Sequence, residues 1–177
     1  MLIVGGRPVG ATAAYWLAHA GFYVTVAERS TDKFAHGQGL DVADQPVQAV
    51  QKMGVYNQIK SKVTGDAGFT ILDDQGKVIA TLGTARDEKG KCFSLTQEIE
   101  IMRGDTNQML ADKAKESKRV TYRYGCTVSE LRQSETHVTA VFTNTGASED
   151  FSSLIGADGL MSRTRKMALP PENGQGL

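Results

Sequence analysis

No apolar stretch in this 177-residue chain approaches the roughly 20 residues that cross a bilayer, so no membrane span is expected. Met1 enters an apolar run directly, which predicts the absence of a leader peptide. Neither sign of charge dominates, with 20 basic and 20 acidic residues, and this gives no electrostatic case for nucleic acid or an anionic lipid surface as partner. Cysteine is scarce: Cys92 and Cys126 stand far apart with no C-x-x-C spacing, which reads as reduced, buried thiols of a cytoplasmic protein. His19, His36 and His137 are scattered, so no metal site is expected, and no Ser/His/Asp or Cys/His arrangement stands out. What remains is a globular chain, 40% apolar, long enough for one domain with a substantial core and short for two. The partner class left open is a small molecule.

The most informative stretch is the first thirty residues. Met1 to Val4 is a short apolar run of the buried parallel-strand kind, followed directly by Gly5-Gly6-Arg7-Pro8-Val9-Gly10. Ala11 to Ala20 carries Ala13, Ala14, Leu17 and Ala20 at helical spacing, Gly21 ends it, and Phe22 to Ala27 returns as a second strand delivering Glu28. This is a βαβ nucleotide-binding layout. Gly5 permits the tight turn, Gly10 lets the helix approach the strand, and the helix N-terminus offers unpaired N–H groups to a pyrophosphate. Glu28 is placed to accept hydrogen bonds from an adenosine ribose; a 2′-phosphate there would meet a like charge, which favours FAD or NAD over NADP. Arg7 occupies the usual second glycine, so its side chain either turns outward or adds a cation to the phosphates.

Further along, Gly37-Gln38-Gly39 before Leu40-Asp41-Val42 reads either as backbone brought close to a flat group or as an ordinary loop entering a strand. Asp44 is expected to cap a helix whose stripe is Val47, Val50 and Met53, with Gly54 as its stop. Phe69 to Leu72 and Val78 to Leu82 flank Asp73-Asp74-Gln75-Gly76 as a hairpin, and Thr84 to Lys91 is expected as a surface loop. Ile99 to Ile101 is a strand leading into Arg103, with Asp105 capping a helix over Thr106 to Lys115. Arg103 at that junction is either a structural ion-pair partner or a phosphate or ribityl clamp. Arg119 to Tyr124 extends the first sheet. A β-meander over Thr127 to Leu131, His137 to Phe142 and Phe151 to Ile155 then runs into Gly156-Ala157-Asp158-Gly159, with Ser162, Arg163 and Arg165 on a short helix and a tail at 170–177.

Taken together, GGRPVG, the Glu28-Arg29 pair, GQGLDV, EIEIMRGD and GADGLMSRTR resemble the FAD-binding half of group A flavoprotein monooxygenases, the para-hydroxybenzoate hydroxylase-like family that includes tetracycline-modifying enzymes. The resemblance runs from Leu2 to about Leu169. It implies an α/β fold: a Rossmann-like βαβ FAD-binding domain over 1–169 with a parallel sheet and a three-stranded meander crossover, and residues 65–100 contributing strands toward a partial substrate-side sheet. It further implies that Gly5, Gly6, Arg7, Pro8, Val9 and Gly10 surround the pyrophosphate, and that Glu28 with Arg29 beside it takes the ribose. By the same resemblance Asp41 and Arg103 lie at the flavin, and Asp158, Gly159 and Arg165 serve FAD and the nicotinamide co-substrate. A strand-ending turn locked by Asp158 is the alternative role for the Asp158-Gly159 pair.

In that family NAD(P)H reduces the flavin and one oxygen atom passes to an aromatic or polyketide-like molecule, while the protein orients the ring and excludes water. No side chain of this chain is assigned as a catalytic group. The family's enzymes run to roughly twice this length, so the expectation is the FAD-binding portion of such an enzyme, with the flavin ring open to water and a bare sheet edge suited to self-association. Two other readings remain: a shortened relative acting as a binding module or non-redox catalyst, and an NAD-dependent dehydrogenase. The Asp158-Gly159 motif and the meander count against the last.

Overall fold

The computed structural model describes residues 1–31, 38–64, 68–83, 85–86, 92–93 and 99–169. The chain divides into two compact units, Met1–Ala35 with Asn107–Leu177, and His36–Thr106. The first unit opens with β1 (Leu2–Val4), α1 (Pro8–His19) and β2 (Val24–Glu28). The second holds β3 (Gly39–Asp41), α2 (Gln45–Lys52), α3 (Tyr56–Lys60), β4 (Gly68–Leu72), β5 (Val78–Gly83), β6 (Ala85–Arg86), β7 (Cys92–Phe93) and β8 (Glu100–Met102). Helix α4 (Arg103–Lys115) starts in the second unit and ends in the first. The first unit continues with β9 (Val120–Tyr124), β10 (Val128–Gln133), β11 (Val138–Phe142), β12 (Ser148–Phe151), β13 (Leu154–Gly156) and α5 (Arg163–Ala168).

Strand β1 is apolar at every position because both faces of its sheet are covered. The four strands lie in the order β13-β1-β2-β9, all parallel, with Ile3 paired to Ile155 on one side and Val26 on the other. Side chains alternate along β1. Ile3 faces α1, where its Cγ2 lies against Gly10, whereas Leu2 and Val4 join Ala27, Cys126, Val128, Ala140 and Phe142 in a core on the opposite face. That second face is closed by the antiparallel meander β10-β11-β12. Phe142 is its largest fully buried side chain; truncating a buried ring of this kind costs about 3–5 kcal/mol. Arg123 on β9 forks onto Glu149 on β12 at 2.6 and 2.9 Å, tying sheet to meander.

Helix α1 begins at Pro8, earlier than the expected Ala11, since proline's fixed φ and missing N–H suit the first helical turn. Of its five buried residues all but Tyr15 are small, Gly10, Ala11, Ala14 and Ala18, which lets the helix lie close to the sheet. The expected third meander strand over Phe151 to Ile155 is two strands. Ser148–Phe151 completes the meander, Ser152-Ser153 break it, and Leu154–Gly156 returns parallel to β1. Pairing with Leu2–Val4 on the buried edge of β1 decides the matter, and local pattern does not encode that pairing.

In the second unit β3 and β8 form an antiparallel ladder, Gly39 to Met102 through Asp41 to Glu100, beside α2 and α3, with Val42, Met53, Val55, Ile59 and Ile101 buried. Hairpin β4–β5 turns as expected: Asp73 Oδ1 accepts the N–H groups of Gln75 and Lys77 at 3.0 and 2.8 Å. Three expectations are corrected here. Residues 84–91 are not wholly loop, because Ala85–Arg86 pairs with Cys92–Phe93; the rest of that segment lies outside the described residues. Asp44 precedes α2 but makes no side-chain cap bond, its backbone at φ 53° holding the carboxylate away from the helix amides. Helix α4 starts at Arg103, so Asp105 sits in its first turn, where Lys62 donates to it, and it caps nothing.

Candidate functional site

The turn after β1 is made from backbone. Gly5 has φ +101°, and a Cβ there would lie 2.4 Å from the Ala157 carbonyl oxygen, so the turn and the strand-end of β13 touch at this point. The Gly5 N–H donates to Ala27 O at 2.8 Å, and the Ala157 N–H donates to Val4 O at 2.7 Å. A Cβ at Gly10 would overlap the Gly5 carbonyl oxygen at 1.8 Å, which fixes glycine as the residue that lets α1 start here. Arg7 has extended backbone, φ −78° and ψ −168°, a conformation open to any residue, and its side chain is exposed. No side chain caps the N-terminus of α1, and Pro8 lacks an N–H; of the turn's amides, those of Gly5 and Gly6 are engaged by Ala27 O and Glu28 Oε2.

Glu28 ends β2 with only 5% of its surface exposed. Its Oε2 accepts the Gly6 N–H and its Oε1 accepts the Ser30 N–H, both at 2.8 Å. Each carboxylate oxygen therefore carries one backbone donor and retains a further lone-pair direction. Arg29 follows it on the exposed side.

Asp158, just past β13, is used differently. Its Oδ1 accepts the Ser162 hydroxyl, and its Oδ2 accepts both the N–H and the hydroxyl of Thr164 at 3.0 Å. Ser162 in turn accepts the Arg165 N–H at 2.9 Å and caps α5, while its own N–H donates to Gly159 O at 3.1 Å. Partial burial pushes the Asp158 carboxyl up, but the hydrogen bonds from Ser162 and Thr164 outweigh it and hold the carboxyl below its ordinary value. Arg165 reaches Leu160 O at 3.2 Å and is otherwise exposed. A cleft of about 430 Å³ lies here, lined by Leu154, Gly156, Asp158, Thr164, Arg165 and Leu169.

The first unit thus brings Gly5, Gly6, Gly10, Glu28, Asp158 and Gly159 to the carboxyl ends of β1, β2 and β13, the place where open parallel sheets receive ligands. Asp41 and Arg103 belong to the second unit. Asp41 is exposed opposite Glu100 at one end of the β3–β8 ladder, and the Arg103 N–H donates to Gln38 O at 3.1 Å at the other. A residue that sequence reading did not single out is Tyr122, whose ring lies against Gly6 and whose buried hydroxyl has no hydrogen-bond partner.

Among the described residues Ser134, His137 and Asp150 approach one another without forming a catalytic set. Ser134 Oγ is 3.0 Å from His137 Nδ1, and His137 Nε2 is 3.9 Å from Asp150 Oδ1. Ser134 accepts the N–H groups of Thr136 and His137 and donates to His137 O, on an exposed hairpin end. That pattern is a turn lock, with the hydroxyl proton already engaged. Cys126 is buried, and burial pushes its thiol up, consistent with an inert core residue. Among the described residues no cluster could hold a metal ion, and no helix is long and apolar enough to cross a membrane.

A glycine turn that excludes side chains, an uncapped helix N-terminus and a buried carboxylate on the next strand fit the adenosine and pyrophosphate of a dinucleotide. The comparisons with known proteins agree on which dinucleotide. The family described as FAD binding domain matches residues 1–176, and the chain belongs to it. Among curated relatives, monooxygenase CTB7 of Cercospora beticola is 49% identical over 173 residues, covering 97% of this chain and 41% of its own length. Flavin-dependent monooxygenase eupH of Phoma sp is 34% identical, covering 96% and 40%. Of solved structures, tetracycline destructase Tet(55) superposes with a TM-score of 0.81 at 27% identity, over 96% of this chain and 41% of that one. The chain therefore spans about two-fifths of the length of these relatives.

Proposed function

We propose that this domain grips FAD by its adenosine diphosphate half and serves an NAD(P)H-driven monooxygenase acting on a small aromatic or polyketide-like molecule. The observation that carries the reading is the pairing of Gly6 with Glu28. It holds a buried carboxylate at the strand end beside a helix N-terminus that no side chain caps. The amides of Arg7, Val9 and Gly10 and the dipole of α1 attract the pyrophosphate, with the exposed Arg7 side chain adding a cation. Glu28 receives the ribose hydroxyls, and Arg29 lies next to it. Asp158 and Gly159 shape the turn that Gly5 touches, and Arg165 offers an exposed guanidinium at the cleft for the nicotinamide co-substrate. Asp41 and Arg103, in the second unit, are assigned to the flavin half, and hairpin β4–β5 to the substrate side.

When bound, FAD supplies the redox chemistry: hydride acceptance and the activation of oxygen. The protein's part is to bind, orient and shield the cofactor, and the shielding is the work of a longer polypeptide than these residues. Retention of a flavin spectrum after incubation with FAD and desalting is the test. Bands near the flavin maxima support the reading, and a colourless protein in excess FAD overturns it.

A further inference from the structure

Tyr122 stands opposite Val26 in the β2–β9 ladder, and three side chains converge beneath Gly6. A Cβ at Gly6 would lie 3.0 Å from Tyr122 Cε1, 3.1 Å from Glu28 Cβ and 3.3 Å from Val26 Cγ1. The Gly6 N–H is the donor that fixes Glu28 Oε2. The ring of Tyr122 is itself held, stacked on Tyr124 with centroids 5.6 Å apart and with Lys115 Nζ 5.8 Å from its own centroid. Its hydroxyl is buried without a partner, which makes the phenol oxygen a cost and directs attention to what the ring carbons do. Burial first, then coupling to the Tyr124 phenol and to the carboxylates of Glu28 and Asp112, raises the phenol's pKa far above its ordinary value, so it stays neutral beside Glu28.

We propose that Tyr122 is a positioning residue whose ring presses Gly6 onto Glu28 and so fixes the carboxylate that receives the adenosine ribose; this rests on the FAD-binding reading. The chemistry at issue is recognition of vicinal sugar hydroxyls by a carboxylate whose rotamer is set from below. The ring does this and the hydroxyl does not, so Tyr122→Phe preserves the function.

The test has two arms. In the first, without ligand, amide hydrogen exchange is followed at Gly6, with Ile3 and Val26 as controls for the intact sheet. Tyr122→Ala and Tyr122→Leu are expected to speed Gly6 exchange by tenfold or more while the control amides stay protected, and Tyr122→Phe is expected to match the unmodified chain. In the second, ADP affinity is measured by titration calorimetry. Tyr122→Ala is expected to weaken ADP binding about tenfold, to be rescued by Tyr122→Phe, and to add less than twofold once Glu28 is already alanine. Unchanged Gly6 exchange in both truncations overturns the proposal, as does an equal loss of ADP affinity with and without Glu28. Failure of the unmodified chain to bind ADP would refute the FAD reading instead, and with it the ribose role, while the exchange arm still decides whether the ring holds Gly6.

Discussion

Glu28 and Asp158 stand at the carboxyl ends of the two strands that flank β1, and both accept backbone N–H groups, yet their surroundings assign them different work. Asp158 accepts three donors from Ser162 and Thr164, and those bonds define the turn and the start of α5. Glu28 accepts one N–H per oxygen, from Gly6 and Ser30, and builds no further element. A carboxylate tied by three donors of its own turn is architecture. One anchored by two backbone donors, with lone pairs to spare beside an uncapped helix, is the one we propose takes the ligand.

The sharpest separation is a pair of substitutions read on two scales. Asp158→Ala should lower unfolding free energy by about 2–4 kcal/mol, because three hydrogen bonds and the order behind the α5 cap are lost together. In urea melts Glu28→Ala should cost less than Asp158→Ala, whereas in ADP titrations it should weaken binding by about 10- to 100-fold, roughly 1.4–2.7 kcal/mol. A reversed order on either scale would erase the distinction between the two residues.

Acid adds a second probe. Because the folded carboxyl of Asp158 lies below its unfolded value, its contribution is present above the unfolded pKa of about 3.9 and is lost as pH falls through the folded one. Stability of the unmodified chain should therefore fall more steeply below about pH 4 than that of Asp158→Asn. Parallel acid limbs in the two proteins would mean that the hydrogen bonds to Asp158 carry no net stabilisation. The smallest effect is expected at Arg7. Its exposed cation should contribute a factor of about two to five to ADP affinity, fading as salt rises, so Arg7→Ala should leave a binding curve with a shallower salt dependence.

Much of this arrangement was legible in the order of residues. Leu2-Ile3-Val4 announces a strand buried on both faces, and Gly5 and Gly10 bracket a turn with no room for a Cβ at either position. Glu28 lies at the strand end where the βαβ spacing puts it. Features created by distant pairing were not legible. Leu154–Gly156 is a separate strand only because β1 offers it an edge, and Ser134, His137 and Asp150 meet only through the β11–β12 register. Tyr122 approaches Gly6 across two strands, more than a hundred residues away in sequence, and nothing in its neighbours signals that contact. Asp44 and Asp105 failed as caps for local reasons, one because of its backbone angle and the other because α4 began at Arg103.

The most direct test is an ADP titration followed by amide chemical shifts. Shifts concentrated at Gly6, Arg7, Val9, Gly10 and Ser30, reached in Glu28→Ala only at about 10- to 100-fold higher ADP, are the expected result. Saturating ADP with no change at those amides, or shifts confined to the Tyr15–His19 end of α1, would contradict the placement of the dinucleotide.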